Sequence, residues 1–221
     1  MPRLCIKELD AVLGEVPTGS IVLIIGPAEA YPEAIGLDII KRCGLGKGAR
    51  VIISLVNSEP DSIISLGNAM GIPLSLETPE VRGFRIEKAP NVISSLRDAG
   101  DEAKSLPEEE LVYVLIDATS ATWDVEPGAL VKAMQSFRKS ARGRGIALLL
   151  VNPETLRDKL VEALLKETAD FTIKLGMERT GEGIIRYMEL LYSPVKLVPY
   201  KRLFYKITET GIEYYNVLNS M

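Results

Sequence analysis

The 221-residue sequence predicts an α/β fold, with a mainly parallel central sheet and antiparallel strands at its C-terminal margin. Three observations predict it. Four short runs, Ile21 to Ile25, Val51 to Leu55, Leu111 to Ile116 and Ile146 to Val151, are almost wholly apolar, as strands covered on both faces are. Between them lie segments whose apolar residues recur at helical spacing. After Asp170 the pattern changes to strands joined by tight turns at Gly181-Glu182-Gly183 and Thr210-Gly211.

Taken in order, residues 4–14 read as a short amphipathic segment that turns at Leu13-Gly14 before Pro17 to Ser20 leads into the first strand. A helix over 32–43 follows, with Pro32 suited to a first helical position and Ile35, Ile39 and Ile40 on one face. Gly44 to Gly48 ends it and Val51 to Leu55 is the next strand. Residues 60–70 form a helix carrying Ile63, Ile64 and Leu66 and closed at Gly71. A third strand is expected at 83–87 and a helix at 91–105. The strand Leu111 to Ile116 ends at Asp117, and a helix over 127–142 places Leu130, Ala133, Met134, Phe137 and Ala141 inward. After Ile146 to Val151, Asn152-Pro153 supplies a cap and a first-turn proline for a helix with Leu156, Leu160, Val161 and Leu164 on its face. Strands are expected at 171–176, 184–192, 202–208 and 212–217. No repeat or long linker divides the chain, so one domain over 1–221 is expected.

Composition narrows the function classes. A net charge of −4 argues against a protein built to coat nucleic acid or anionic membrane. No run is apolar over the ~18 residues a membrane helix needs, and Met1 to Cys5 carries no signal-peptide core, so a cytoplasmic chain is expected. The absence of histidine removes the commonest general base and zinc ligand, and no metal site is expected. Cys5 and Cys43 lie far apart without metal spacing and are expected to be free thiols. Abundant Ile, Lys, Glu and Arg with a single glutamine, Gln135, suit a thermophilic source.

The central stretch is Ser20 to Gly36: a buried strand, a turn at Gly26-Pro27, and a helix opening near Pro32. This is the scaffold of a phosphate-binding loop, in which glycines let backbone N–H groups wrap an anion and a lysine reaches the outer phosphates. The chemistry is missing. Laid on G-x-x-x-x-G-K-[ST] from Gly26, the second glycine falls on Tyr31, the lysine on Pro32 and the hydroxyl residue on Glu33. Tyr31 opposes the left-handed backbone such a loop needs, and Pro32 removes a donor. Glu29 and Glu33 put negative charge where a triphosphate would sit. One carboxylate about 4 Å from a phosphate charge costs on the order of 4 kcal/mol at an effective dielectric of 20, against roughly 8 kcal/mol for a micromolar ligand. Two such carboxylates would cancel the affinity. Acids in the first turn of a helix instead stabilise it, by about 0.3–1 kcal/mol each.

The chain resembles a single RecA-type ATPase domain of the KaiC-like group, which is widespread in archaea. The resemblance rests on Leu9-Asp10, Leu13-Gly14, Pro17, Gly19-Ser20 and Ile24 to Pro27, on Val51 to Leu55 with Ala69 to Gly71, and on Val114 to Ser120. Thr168 to Asp170 and the closing Ile207-Thr208 with Gly211-Ile212 complete it. It implies a RecA-like three-layer fold over nearly the whole length. For function it implies losses. The family's glutamate pair after the second strand is replaced by Val56 and Asn57, with Glu59 two or three residues late. The K-x-R-G that serves a neighbouring subunit has no arginine in Tyr192 to Lys196. Asp117 stands where the family's magnesium contact would be, and here reads as a strand-end carboxylate.

The vestigial nucleotide site is therefore Gly26, Pro27, Glu29, Tyr31, Pro32, Glu33 and Asp117, with no catalytic residue and no cofactor expected. The reading that follows is an inactive pseudo-ATPase acting as a regulatory or scaffold protein, in a homo-oligomer or with a related ATPase. Trp123 on the loop after Asp117, and Tyr200, Lys201 and Arg202 in a stretch of interleaved basic and aromatic residues, are the interface candidates. Two alternatives stay open: a divergent ATPase or sensor that binds ATP and magnesium through a remodelled loop, and a recombination accessory protein binding single-stranded DNA. Arg138, Lys139, Arg142 and Arg144 read as the cationic end of a helix and not as a nucleic-acid patch.

Overall fold

The computed structural model describes residues 3–44, 49–74, 84–107, 110–121, 123, 125–181, 183–192 and 202–215. Among the described residues nine strands form one sheet in the order β3-β2-β4-β5-β1-β6-β7-β8-β9. They are β1 (Ile21–Ile25), β2 (Arg50–Val56), β3 (Phe84–Ala89), β4 (Val112–Asp117), β5 (Gly145–Val151), β6 (Phe171–Thr180), β7 (Gly183–Tyr192), β8 (Arg202–Thr208) and β9 (Gly211–Tyr215). The first six are joined by parallel pairing, and β6 to β9 form an antiparallel margin. The predicted fold class is the observed one.

The described α-helices that cover the sheet are α1 (Lys7–Leu13), α2 (Pro32–Ile39), α3 (Pro60–Ala69), α4 (Val92–Ser105), α5 (Pro127–Ser140) and α6 (Lys159–Thr168). β1 shows why its run is apolar throughout. Val22 and Ile24 face a core shared with α1, α2, α3 and the margin, while Ile21, Leu23 and Ile25 face a second core shared with α4, α5 and α6. Burying both faces leaves no position for a polar side chain. α2 runs under the sheet and is buried on nearly every side, from Pro32 through Ile39. Gly36 allows this, because a Cβ there would meet Leu115 Cδ1 at 2.5 Å.

Three expectations are corrected. The helix expected over 32–43 is α-helical only to Ile39 and continues as a π-helical segment, Ile40–Gly44. The helix expected from Asn152-Pro153 is broken. Asn152 caps a single 3-10 turn, Pro153–Thr155, the chain extends at Leu156, and Asp158 caps α6 afresh. Leu160, placed on the inner face from sequence, is 54% exposed, whereas Val161 and Leu165 are buried. Finally, Cys5 and Cys43 are not free: they form a disulfide, with Cα atoms 5.5 Å apart. Sequence separation concealed a contact that the fold creates by laying the N-terminal segment against the end of α2.

Candidate functional site

The site sits where three parallel strands end. A cleft of about 540 Å³ opens beyond the carboxyl ends of β1, β2 and β4, with Tyr31, Glu33, Ser58, Glu59, Asp117 and Thr119 on its walls. Open parallel sheets bind ligands at this edge because loops diverge there and leave a crevice.

The loop from Gly26 to Tyr31 is closed upon itself. Ala28–Ala30 form a 3-10 turn in which Ala30 N–H donates to Pro27 O (3.0 Å) and Tyr31 N–H to Ala28 O (2.9 Å). Gly26 N–H donates to Val151 O at 3.1 Å. Gly26 itself is demanded by packing, since a Cβ there would lie 2.6 Å from Leu175 Cβ on β6. The loop's carbonyls are captured by the margin: Arg186 Nε donates to Glu29 O (2.7 Å), and the buried Tyr205 hydroxyl donates to Ala30 O (2.6 Å). A phosphate cradle presents convergent N–H groups to the cleft. Here Gly26, Ala30 and Tyr31 direct theirs to backbone carbonyls.

Tyr31 corrects the sequence reading. It adopts the left-handed conformation at φ 52° and ψ 63°, the backbone it was expected to oppose. The ring stacks on the Arg186 guanidinium, with the cation 5.1 Å from its centroid, and that contact offsets part of the cost of a Cβ in this region. The left-handed bend forms with a tyrosine in place. Pro32 opens α2 without an N–H to lose. Glu29 is exposed and Glu33 half-buried, so the two acids have different settings.

Glu33 reaches across the cleft floor. Thr119 Oγ1 lies 2.7 Å from Glu33 Oε1 and 2.7 Å from Asp117 Oδ1. A hydroxyl carries one hydrogen, so two ionised carboxylates cannot both be satisfied by it. Asp117 has the richer donor set, accepting also from Thr119 N–H (3.0 Å) and the Ser58 hydroxyl. Burial raises the pKa of both carboxyls, and the charge on Asp117 raises that of Glu33 further. With Glu33 protonated the three groups form a relay, in which Glu33 donates to Thr119 and Thr119 donates to a charged Asp117. Among the described residues no ion pair reaches either acid. Arg186 is engaged by the loop, and Lys88 is paired with Glu59 at 2.6 Å on the rim.

Of the other sequence-predicted positions, Asn57 and Glu59 line the cleft and the rest of the described ones lie elsewhere. Val56 is buried, and Asn57 is exposed in a left-handed turn (φ 60°), so neither places a carboxylate over the cleft. Glu59 is 76% exposed in its surface pair. Trp123 is corrected as an interface candidate: it is 4% exposed in the core beneath α4 and α5, with its indole nitrogen unpartnered. Arg202 lies on β8, donates to Glu189 Oε1 (2.6 Å), also binds Glu178, and covers the Tyr187 ring. Tyr200 and Lys201 lie outside the described residues. Arg138 ties α5 to the start of β6, donating to Asp170 Oδ2 (2.9 Å) and to Thr168 O. Among the described residues no group of three acidic or thiol side chains could hold a metal, and no helix is long and apolar enough to cross a membrane. Sequence reasoning missed Thr119, Ser58, Arg186 and Tyr205. Only Thr119 left a signal, standing two residues after a strand-end aspartate, where a turn closes on its carboxylate.

The architecture has close counterparts among solved structures. A KaiC-like protein from the hyperthermophilic archaeon Pyrococcus horikoshii superposes with a TM-score of 0.72 at 18% identity, covering 94% of each chain. Its fold is that of the KaiC-like proteins. The flagellar accessory protein FlaH from Methanocaldococcus jannaschii superposes with a TM-score of 0.69 at 15% identity, over 95% of this chain and 96% of that one. An uncharacterised Pyrococcus horikoshii protein in complex with an unknown peptide gives 0.69 at 15% identity, over 97% and 99%. No family model and no curated protein matches the sequence. At such identities the likeness establishes the RecA/KaiC-like fold, and every functional position rests on the residues described above.

Proposed function

We propose that this chain is a RecA-fold pseudo-ATPase that does not hydrolyse nucleotide and acts through protein–protein contacts as a regulatory or scaffold subunit. The observation that supports it is the state of the phosphate loop. Its N–H groups at Gly26, Ala30 and Tyr31 are engaged internally, and Glu33, where the loop's hydroxyl residue would stand, is committed to Thr119. Anion, metal and water-activating base all lack their residues.

The surface suits contact with another chain. Tyr31 stands 42% exposed at the cleft mouth, and Ile184, Leu191 and Tyr215 expose 45%, 45% and 39% on the margin. Large apolar side chains held out from a sheet favour protein partners. A structural neighbour was solved with an unknown peptide, and we extend that kind of partner to this chain as part of the proposal. The partner class is a second copy or a related ATPase, as symmetric assembly through a shared surface would permit.

Calorimetric titration with ATP and GTP in magnesium tests the reading, with light-scattering mass on the same sample. Dissociation constants weaker than millimolar are expected, together with a mass above the monomer or one raised by a related ATPase. A micromolar constant, or nucleotide that co-purifies, overturns it.

A further inference from the structure

The disulfide at the far end of α2 is unequally placed. Cys43 is 1% exposed, whereas Cys5 is partly exposed and borders a surface depression of about 640 Å³. Arg3, Lys7 and Arg42 line that depression against one carboxylate, Asp10, which accepts from Leu4 N–H at 3.1 Å. Arg42 also binds Asp38 at 2.8 Å, so its charge is shared, while Arg3 and Lys7 are exposed. Cys43 Sγ lies 2.8 Å from the Arg3 carbonyl oxygen. A disulfide sulfur has no hydrogen to give, but a Cys43 thiol has this oxygen beside it as an acceptor. The buried sulfur therefore has an acceptor ready for its reduced form.

We propose that Cys5–Cys43 is a thiol-exchange site for anionic low-molecular-weight thiols, bound in the Arg3–Lys7–Arg42 depression, with Cys5 as the sulfur attacked. The incoming thiolate bonds to Cys5 Sγ, the S–S bond breaks, and its electron pair leaves on Cys43. Cys43 takes up the proton given by the thiol and donates to Arg3 O. A second thiolate attacks the outer sulfur of the mixed disulfide, releasing the small-molecule disulfide and the Cys5 thiolate, which is protonated in turn. Two thiols are oxidised to one disulfide while the protein disulfide becomes two thiols. The direction follows from access, because Cys5 is the partly exposed residue of the pair and borders the depression, and the preference for anions follows from the cationic lining. Leu4 and Ile6, fully buried on either side of Cys5, hold the segment in place, so exchange occurs on the folded chain. α2 and the π-helical segment that continues it run from Glu33 at the cleft to Cys43 at this site.

The test uses glutathione (anionic), 2-mercaptoethanol (neutral) and cysteamine (cationic) on the full-length native protein, with rates normalised to thiolate fraction. Glutathione should react at least about threefold faster than 2-mercaptoethanol and cysteamine slower, with the spread collapsing at high salt. Peptide mapping of the Cys43→Ser variant treated with glutathione disulfide should place the adduct on Cys5. Arg3→Gln with Lys7→Gln should slow glutathione and leave 2-mercaptoethanol unchanged. Two free thiols in the unreduced, denatured protein would overturn the proposal. So would rates indifferent to thiol charge, or reduction no faster than global unfolding. A Cys5→Ser variant that takes up glutathione on Cys43 as readily would also overturn it.

Discussion

Replacing Glu33 by Gln tests the relay at the cleft floor directly. Gln keeps a hydrogen-bond donor for Thr119 Oγ1 but cannot ionise. Burial holds the Glu33 pKa in the folded protein above its ordinary 4.5. Below that value the folded and unfolded chains both carry the proton, and wild type and variant should be about equally stable. As pH rises, the unfolded chain gives up its proton first, and wild type loses stability relative to Gln at up to about 1.4 kcal/mol per pH unit. The loss ends once pH passes the raised folded value, where both states are ionised. Asp117, raised in the same direction, is present in both proteins, and its contribution largely cancels in the difference. Urea unfolding of the two proteins at half-unit intervals from about pH 4 to 8 gives that difference curve, with m-values checked for constancy. A stability difference that does not change with pH would refute the relay, and so would a wild type that gains on the variant as pH rises.

The remaining predictions address the loop and its neighbours. Glu29→Gly, Tyr31→Gly, Pro32→Lys and Glu33→Thr together should bring measurable ATP binding by calorimetry yet leave hydrolysis at background, because Val56 and Asn57 offer no base. Robust turnover would mean that the base lies elsewhere. Gly26→Ala forces a Cβ to within 2.6 Å of Leu175 Cβ and should cost about 1–3 kcal/mol, read as a Tm loss of several degrees by calorimetry. A labelled single-stranded oligonucleotide should show no submicromolar binding at physiological salt by fluorescence anisotropy. Submicromolar binding lost on Lys201→Ala and Arg202→Ala would instead favour a nucleic-acid role.

What the sequence disclosed and what it hid have different physical origins. The central parallel strands β1, β2, β4 and β5 were legible because burial on both faces imposes an apolar run. The margin was legible from its turn glycines. The breaks were not: the 3-10 turn at Pro153–Thr155 and the π-helical end of α2 arise where backbone must meet tertiary neighbours, and propensity says little there. Lys41, in that segment, donates to Met70 O and Thr210 O, and Arg42 to Ile212 O, anchors supplied by chain that is remote in sequence. The disulfide was hidden for the same reason.

Within the site, departures from the phosphate-loop pattern were legible and the contacts made there were not. Missing lysine, hydroxyl and glutamates could be counted against a pattern, but a pattern cannot show what a vacated position does next. Tyr31 makes the point. From sequence, a tyrosine at a glycine position argues that the left-handed bend has gone. In the fold the bend remains, because Arg186 covers the ring and Tyr205 holds Ala30 O, both from strands more than 150 residues downstream. The loop is thus held by side chains of the protein's own margin. A loop held by a bound anion responds to that anion. Here Arg186, Tyr205 and Thr119 supply the contacts, so the bonding of the loop and of Glu33 depends on protonation and on the seating of the margin.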